Sequence, residues 1–150
     1  MLRDIFNFRQ LSPVLATSGQ PNEHELMAVA EAGYRVVLNL ALHDDPRYSL
    51  PDERRTVEAL GMKYVHIPVQ FAAPTDEDFE LFVRAMEENH DQVMLIHCAA
   101  NKRVSAFLGL YFRLHQGKAA DESFELLREI WEPDEVWSKF IARKLAASEA

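Results

Sequence analysis

The sequence predicts an α/β fold, a parallel-type central sheet flanked by helices on both faces. Three observations carry it. Short apolar runs of strand length alternate with longer segments of helical periodicity, and the links between them are short. The run over residues 36–40, Val-Val-Leu-Asn-Leu, is nearly continuous in apolar side chains, as a parallel strand covered on both faces requires. A second such run, 93–96, leads through a few small and polar residues straight into a long helical pattern.

Taken in order, residues 8–11 and 14–17 read as short strands around a Ser12-Pro13 turn, and Ser18-Gly19-Gln20-Pro21 ends the second. Asn22 caps the first helix, with Glu25 completing a capping box, Leu26, Val29 and Ala30 facing inward and Gly33 as the stop. After the strand at 35–40 comes a polar segment, 41–50, carrying His43, Asp44, Asp45 and Arg47. It is a loop at the end of a central strand, where open α/β sheets form their crevices. Pro51 suits the first turn of a helix running to Leu60, with Gly61 as its stop. The next strand is expected over 63–69, with Val65, Ile67 and Val69 alternating against His66.

Residues 70–74 make a loop, and Thr75 caps a helix whose inward face is Phe79, Phe82, Val83 and Met86, with Asp78 at its third position. Asn89-His90-Asp91 breaks it. The strand at 93–96 and the helix carrying Val104, Phe107, Leu108, Tyr111 and Leu114 follow, closed by Gly117. Phe124, Leu127, Ile130 and Trp131 mark a further helix, ended by Pro133. Asp134 caps the last, with Val136, Trp137, Phe140, Ile141 and Leu145 inward. No repeat, low-complexity tract or linker interrupts the chain, so residues 1–150 are expected to form one domain.

The 150 residues are 48% hydrophobic, enough for a substantial core. The net charge of −8 argues against nucleic acid or an anionic membrane surface as partner, while leaving room for an anionic substrate at a locally positive site. No stretch is apolar for long enough to span a bilayer or to serve as a signal peptide. The single cysteine rules out an internal disulfide and a Cys-rich zinc site. A free reactive thiol fits a reducing compartment, and the cytoplasm is the expected location. His24, His43, His66, His90 and His115 show no His-x-x-x-His spacing, so neither a metal nor a cofactor is expected.

That one cysteine, Cys98, stands at the junction between a buried strand and a helix N-terminus, in His97-Cys98-Ala99-Ala100-Asn101-Lys102-Arg103-Val104-Ser105. Unpaired backbone N–H groups and the positive end of the helix dipole favour anions there, the thiolate included. The stretch resembles the signature of the cysteine-dependent phosphatases of the protein-tyrosine and dual-specificity type: His-Cys, five residues, Arg, then Ser or Thr. His97-Cys98 matches it, and Ser105 stands at the hydroxyl position. Asn101 takes the place of the usual Gly and is among the few residues that tolerate a left-handed backbone. The departure is Arg103, which follows Cys98 after four residues, with Val104 in the expected slot. The shortened loop resembles a bacterial phosphatase-like subgroup, as does Ser18-Gly19-Gln20-Pro21. It also resembles the loop of rhodanese-type sulfurtransferases.

The resemblance implies a phosphatase-like version of the fold, since helices continue after the Cys98 helix. It also implies hydrolysis of a phosphate monoester, on a phosphorylated small molecule or protein, through a thiophosphoryl intermediate on Cys98. Arg103 would stabilise the equatorial oxygens and Ser105 would help the thiolate leave. His97, Ala99, Ala100, Asn101, Lys102 and Val104 would frame the phosphate. The family's general acid is an Asp on a loop after an earlier strand, where this chain has Gln70, which orients water but carries no carboxyl proton. Asp44, Asp45, Asp76 and Asp78 are the substitutes in reach of sequence reasoning. Two other readings stand beside it: a sulfurtransferase carrying a persulfide on Cys98, and a non-catalytic module that holds a phosphorylated partner.

Overall fold

The computed structural model describes residues 1–43 and 49–149. Its elements run β1 (Arg9–Ser12), β2 (Leu15–Ser18), α1 (Glu23–Glu31), β3 (Val36–Asn39), α2 (Glu53–Ala59), β4 (Lys63–His66) and α3 (Asp76–Glu88). They continue with β5 (Met94–His97), α4 (Lys102–His115), α5 (Ala120–Ser123), α6 (Glu125–Ile130) and α7 (Glu135–Glu149). The five strands form one sheet in the order β1-β2-β5-β3-β4. β2, β5, β3 and β4 are parallel, and β1 is added antiparallel at one edge by a hairpin.

The strand register explains why the sheet is apolar through its middle and polar at one end. Ala16, Leu95, Val37 and Tyr64 lie side by side across the four parallel strands. They pack with Leu26 and Val29 of α1 and Val57 of α2. On the other face Ile96 and Leu38 are buried with Phe82, Val104, Phe107 and Trp137, joining α3, α4 and α7 into the larger core. Two residues beyond the first row, and hence on the same face, the register aligns Ser18, His97, Asn39 and His66. The first three are fully buried. This polar row at the C-terminal ends of the strands is the floor of the candidate site.

The helix starts follow local chemistry. Asn22 Oδ1 accepts the Glu25 amide at 2.8 Å while the Glu25 carboxylate accepts the Asn22 amide at 2.8 Å. Thr75 and Asp78 make the same reciprocal pair at 3.0 and 3.1 Å, and Asp134 accepts the Trp137 amide at 2.9 Å. Each such cap stabilises its helix by about 1 kcal/mol.

Beyond shifts of a single residue at strand ends, the structure departs from the sequence expectation in four places. α2 starts at Glu53 rather than at Pro51, because Asp52 is left-handed (φ 53°) and keeps Pro51 in the preceding turn. β4 ends at His66 rather than Val69. Pro68 has no N–H to continue the ladder, although Ile67 and Val69 still donate to Asn39 and Leu40 at 2.9 and 3.0 Å. The helix expected around 124–131 is α6, and a further short helix that was not expected, α5, precedes it and meets it at Phe124. Val136 is 41% exposed rather than inward; Trp137 and Phe140 take the buried face of α7.

The break at Phe124 is matched by Gly109 on α4, where a Cβ would lie 2.5 Å from Phe124 Cδ1 and 3.3 Å from the Ser123 carbonyl oxygen. In an exposed helix interior, Gly→Ala gains up to about 1 kcal/mol. Here we expect Gly109→Ala to reverse that sign and cost about 1–3 kcal/mol by overpacking. The measurement is urea unfolding, read as a lower midpoint at unchanged slope.

Candidate active site

Residues 98–101 turn the chain from β5 into α4 between two buried elements, and three distant segments hold that turn in place. Asn101 is left-handed (φ 68°); its Nδ2 donates to the Asn7 carbonyl and to Thr17 Oγ1, both at 2.9 Å. Asn7 returns a bond from its own Nδ2 to the Ala100 carbonyl at 3.0 Å. The Gln20 amide donates to Ala99 O at 3.0 Å, and Gly19 forms an antiparallel bridge with Ala100. A Cβ on Gly19 would come within 2.7 Å of both Ala99 O and the Phe6 ring. Ser18-Gly19-Gln20-Pro21 is therefore the wall of the Cys98 turn, and only glycine fits where the two backbones touch.

Cys98 is fully buried at the start of this turn. The first α-type bond recorded for α4 runs from the Ser105 amide to Asn101 O at 3.0 Å. Amides ahead of it have no carbonyl one turn back, so the loop offers N–H groups and the positive end of α4 to an anion. Arg103 lies in the first turn of α4 and is 8% exposed. Its Nη1 donates to the Val69 carbonyl at 2.9 Å, and its guanidinium lies 5.8 Å from the Phe71 ring centroid. Its Nε is buried and has no protein partner. Lys102 is half-buried with its Nζ 5.3 Å from the Trp131 ring centroid. Val104 is fully buried in the core, so the slot one residue beyond Arg103 belongs to packing.

Ser105 Oγ donates to the Lys102 carbonyl at 2.8 Å and accepts Trp131 Nε1 at 3.1 Å. Trp131 lies against Phe71, centroids 5.6 Å apart, and Trp137 Nε1 donates to the Phe71 carbonyl at 2.7 Å. An aromatic wall thus stands beside Arg103 and Lys102. Gln70, next to Phe71, is exposed. Asp76 is turned to α7, where Arg143 Nη1 reaches its two carboxylate oxygens at 2.9 and 3.1 Å and Lys144 lies at 3.4 Å. The Arg143 hydrogen bond, with the charge of Lys144, holds Asp76 below the usual carboxylate range. Asp78 is engaged in the Thr75 cap. Asp44 and Asp45 lie outside the described residues.

The structure adds a residue that sequence reasoning missed. Glu53, in the first turn of α2, is fully buried, and its Oε2 lies 2.7 Å from His97 Nε2. Its Oε1 accepts Gln20 Nε2 at 2.7 Å. Burial by itself raises this carboxyl, but the charge and hydrogen bond of His97 and the Gln20 amide outweigh it and leave Glu53 below its ordinary value. Nothing in the sequence distinguishes Glu53 from a solvated acid at a helix start. Close by, His43 and His66 stack with centroids 4.4 Å apart, and His43 Nε2 lies 3.1 Å from Tyr64 Oη. Burial lowers His66, against the opposing bond from its Nε2 to Ala41 O at 2.6 Å. Burial and then the Glu53 charge raise Tyr64. Among the described residues no group of three or more His, Cys, Asp or Glu is arranged to hold a metal ion. Among them no helix is long and apolar enough to cross a membrane.

A cysteine at the head of a strand–loop–helix anion cradle, on this sheet, defines the class of cysteine-dependent phosphatase-like proteins. The chain belongs to the family described as DSP-PTPase phosphatase fused to NAD+ kinase, whose model matches residues 7–135. It is similar to the DUF442 candidate phosphatase of Shewanella putrefaciens CN-32, at 34% identity and a TM-score of 0.86, covering 98% of this chain and 96% of that one. The TpbA protein of P. aeruginosa, solved in complex with pTyr, shares the fold at a TM-score of 0.72 and 16% identity, covering 97% of this chain and 92% of that one. A β-lactamase hydrolase-like protein of Xylella fastidiosa is 34% identical over 91 residues, 59% of this chain and 21% of that protein. The match thus spans about a fifth of the curated relative's length.

Because the fold favours ionised Glu53, its stabilisation is present above the ordinary value of 4.5 and is lost as pH falls from there through the lowered folded value. We therefore expect Glu53→Gln to flatten the fall of unfolding free energy between about pH 5 and pH 3. Denaturant titrations at several pH values measure it.

Proposed function

We propose that the protein is a cysteine-dependent phosphatase that hydrolyses a phosphate monoester through a thiophosphoryl intermediate on Cys98, with residues 1–150 acting as one phosphatase-like domain. The observation that carries this reading is the buried Arg103 guanidinium. It is anchored through Nη1 to Val69 O, and its Nε is left without a protein partner beside an amide-lined turn. A buried charged donor left unpaired is costly, and an oxyanion at the turn satisfies it.

In the first step the Cys98 thiolate attacks phosphorus, the S–P bond forms, and the bond to the leaving oxygen breaks with that oxygen taking the electron pair. Arg103 and the amides around residues 99–104 stabilise the equatorial oxygens, with Lys102 beside them. In the second step water attacks phosphorus, inorganic phosphate departs, and the thiolate is regenerated. His97 frames the turn from below, and Ser105 stands one helical turn after Asn101 with its hydroxyl held by Trp131. Gln70 has no carboxyl proton to give and Asp76 is held ionised by Arg143, so neither serves the leaving group. Among the described residues no carboxyl stands ready to protonate the leaving group; where that help is missing, the cost is about 10²–10⁴-fold on basic leaving groups, and activated aryl phosphates are less affected. The TpbA protein, which shares this fold, was solved in complex with pTyr, a phosphate monoester. A free nucleophilic thiol suits the reducing cytoplasm. The net charge of −8 disfavours nucleic acid and an anionic membrane surface as partners.

One observation favours a second reading. The four-residue spacing between Cys98 and Arg103 also suits persulfide chemistry on Cys98, which needs no general acid. Intact-protein mass spectrometry separates the two, since Cys98 is the only thiol. After rapid quench from an activated aryl phosphate we expect a single phosphoryl adduct on wild type and none on Cys98→Ser. Arg103→Lys is expected to lower kcat/KM by about 10²–10³-fold. A stable sulfur adduct from thiosulfate with no phosphoryl adduct would assign the sulfurtransferase. Anion binding with neither adduct would assign a binding module.

A further inference from the structure

Lys102 is held at both ends. Its carbonyl accepts the Ser105 hydroxyl at 2.8 Å, and its ammonium rests 5.3 Å from the Trp131 ring centroid, within cation–π range. Trp131 Nε1 donates to that same Ser105 Oγ at 3.1 Å. The indole is thus bonded to the hydroxyl that is bonded to the residue whose charge it carries. Ser105 is fully buried, and Lys102 and Trp131 are half-buried. A lysine at a helix start ordinarily keeps its rotamer freedom in water, and fixing it costs entropy. The charge so fixed is unanswered within the protein. The chain has 24 acidic residues against 16 basic ones, and Arg9, Arg54, Lys139, Arg143 and Lys144 each meet a carboxylate. Among the described residues no carboxylate pairs with Lys102 or Arg103.

The two cations are directed differently. Arg103 is bonded to Val69 O, with its buried Nε left unpaired beside the turn. Lys102, one residue earlier on α4, is drawn onto Trp131, which stands against Phe71 with ring centroids 5.6 Å apart. The scissile phosphate has the loop amides, the positive end of α4 and Arg103 to neutralise it. A group joined to that phosphate and lying along the aromatic wall meets the Lys102 ammonium. We propose that Lys102, Ser105 and Trp131 form a subsite for a second anionic group of the substrate. The preferred substrates are then phosphate monoesters that carry a further phosphate or carboxylate close to the scissile one. This deepens the phosphatase reading above and rests on an anion occupying the Cys98 turn. Lys102 touches the ligand, while Ser105 and Trp131 are positioning residues. Ser105 has one O–H, and it is given to the Lys102 carbonyl, so the hydroxyl serves this subsite rather than the Cys98 sulfur.

Phosphonates test this without turnover, because their P–C bond offers no leaving oxygen. Isothermal titration calorimetry compares three of them: ethylphosphonate, with one anionic group, phosphonoacetate, which adds a carboxylate, and methylenediphosphonate, which adds a second phosphonate. In wild type we expect at least one of the doubly anionic ligands to bind about 10-fold more tightly than ethylphosphonate. Whichever of the two binds more tightly tells a carboxylate from a phosphate as the second group. Lys102→Met keeps the stem against Trp131 and removes the charge, and with it the ratio is expected to fall to about 2-fold or less. A wild-type ratio near unity overturns the proposal with no variant needed. A high ratio that Lys102→Met leaves unchanged overturns it too, because Lys102 then serves the scissile phosphate or packing alone. Failure of ethylphosphonate itself to bind wild type removes the anion site, and the phosphatase reading falls together with the proposal. Binding of ethylphosphonate with a ratio near unity leaves that reading standing and overturns the proposal alone.

Discussion

A buried carboxylate must find protons, and Glu53 finds them on His97 and Gln20. Much of the site's geometry follows from that requirement. Glu53 belongs to α2, His97 ends β5, and Gln20 follows β2, so one charged group ties together the helix that covers the sheet and two of its strands. The bond also sets the orientation of the His97 ring, which in turn meets the first carbonyl of the Cys98 turn. Had the polar row of Ser18, His97, Asn39 and His66 been apolar like the row below it, the strand ends would pack well. They would then present nothing that orients a loop.

The Cys98 turn is short and deeply placed, so its shape cannot come from its own side chains. Ala99 and Ala100 contribute almost nothing beyond backbone. The conformation is imposed from outside by Phe6, Asn7 and Gly19 on one side and by Asn101 bonding to Asn7 and Thr17 on the other. The side-chain bonds among them join residues 84 to 94 positions apart, and most of these contacts are to backbone atoms. Substitutions near the N-terminus therefore act on the anion cradle although they lie far from Cys98 in sequence. Gly19 is the tightest of these positions, because the carbonyl it faces is part of the turn itself.

The sheet and most helices were legible in the sequence because local signals and global packing agree. The continuous apolar run at 36–40 is a central strand, and the capping pairs at Asn22 and Thr75 form as their spacing indicates. The Cys98 junction was legible because a strand ends and a helix begins within a few residues. The errors have local causes: a left-handed Asp52, a proline inside a pairing segment, and a short extra helix that ends at Phe124, the residue packed against Gly109. Glu53 was illegible for a different reason. An acid in the first turn of a helix is ordinarily solvated, and only the packing of α2 against β4, which brings Glu53 to His97 at the end of β5, buries it. The stacking of His43 on His66 was hidden in the same way, since the loop after β3 returns His43 to the end of β4.

The shifted arginine also acquires a physical meaning in three dimensions. In the longer loop the arginine lies one residue further along the helix, about 100° around its axis. That position here is Val104, which faces the core shared by α3, α4 and α7. Arg103 instead lies at the edge of that core and reaches across to the carbonyl of Val69, immediately before Gln70 and Phe71. The guanidinium is thereby bonded to the segment where the wider family carries its acid. Its position is fixed by two loops at once, the Cys98 turn through the chain and the 69–71 segment through a hydrogen bond. The position of the guanidinium and the shape of the neighbouring aromatic wall are therefore set together.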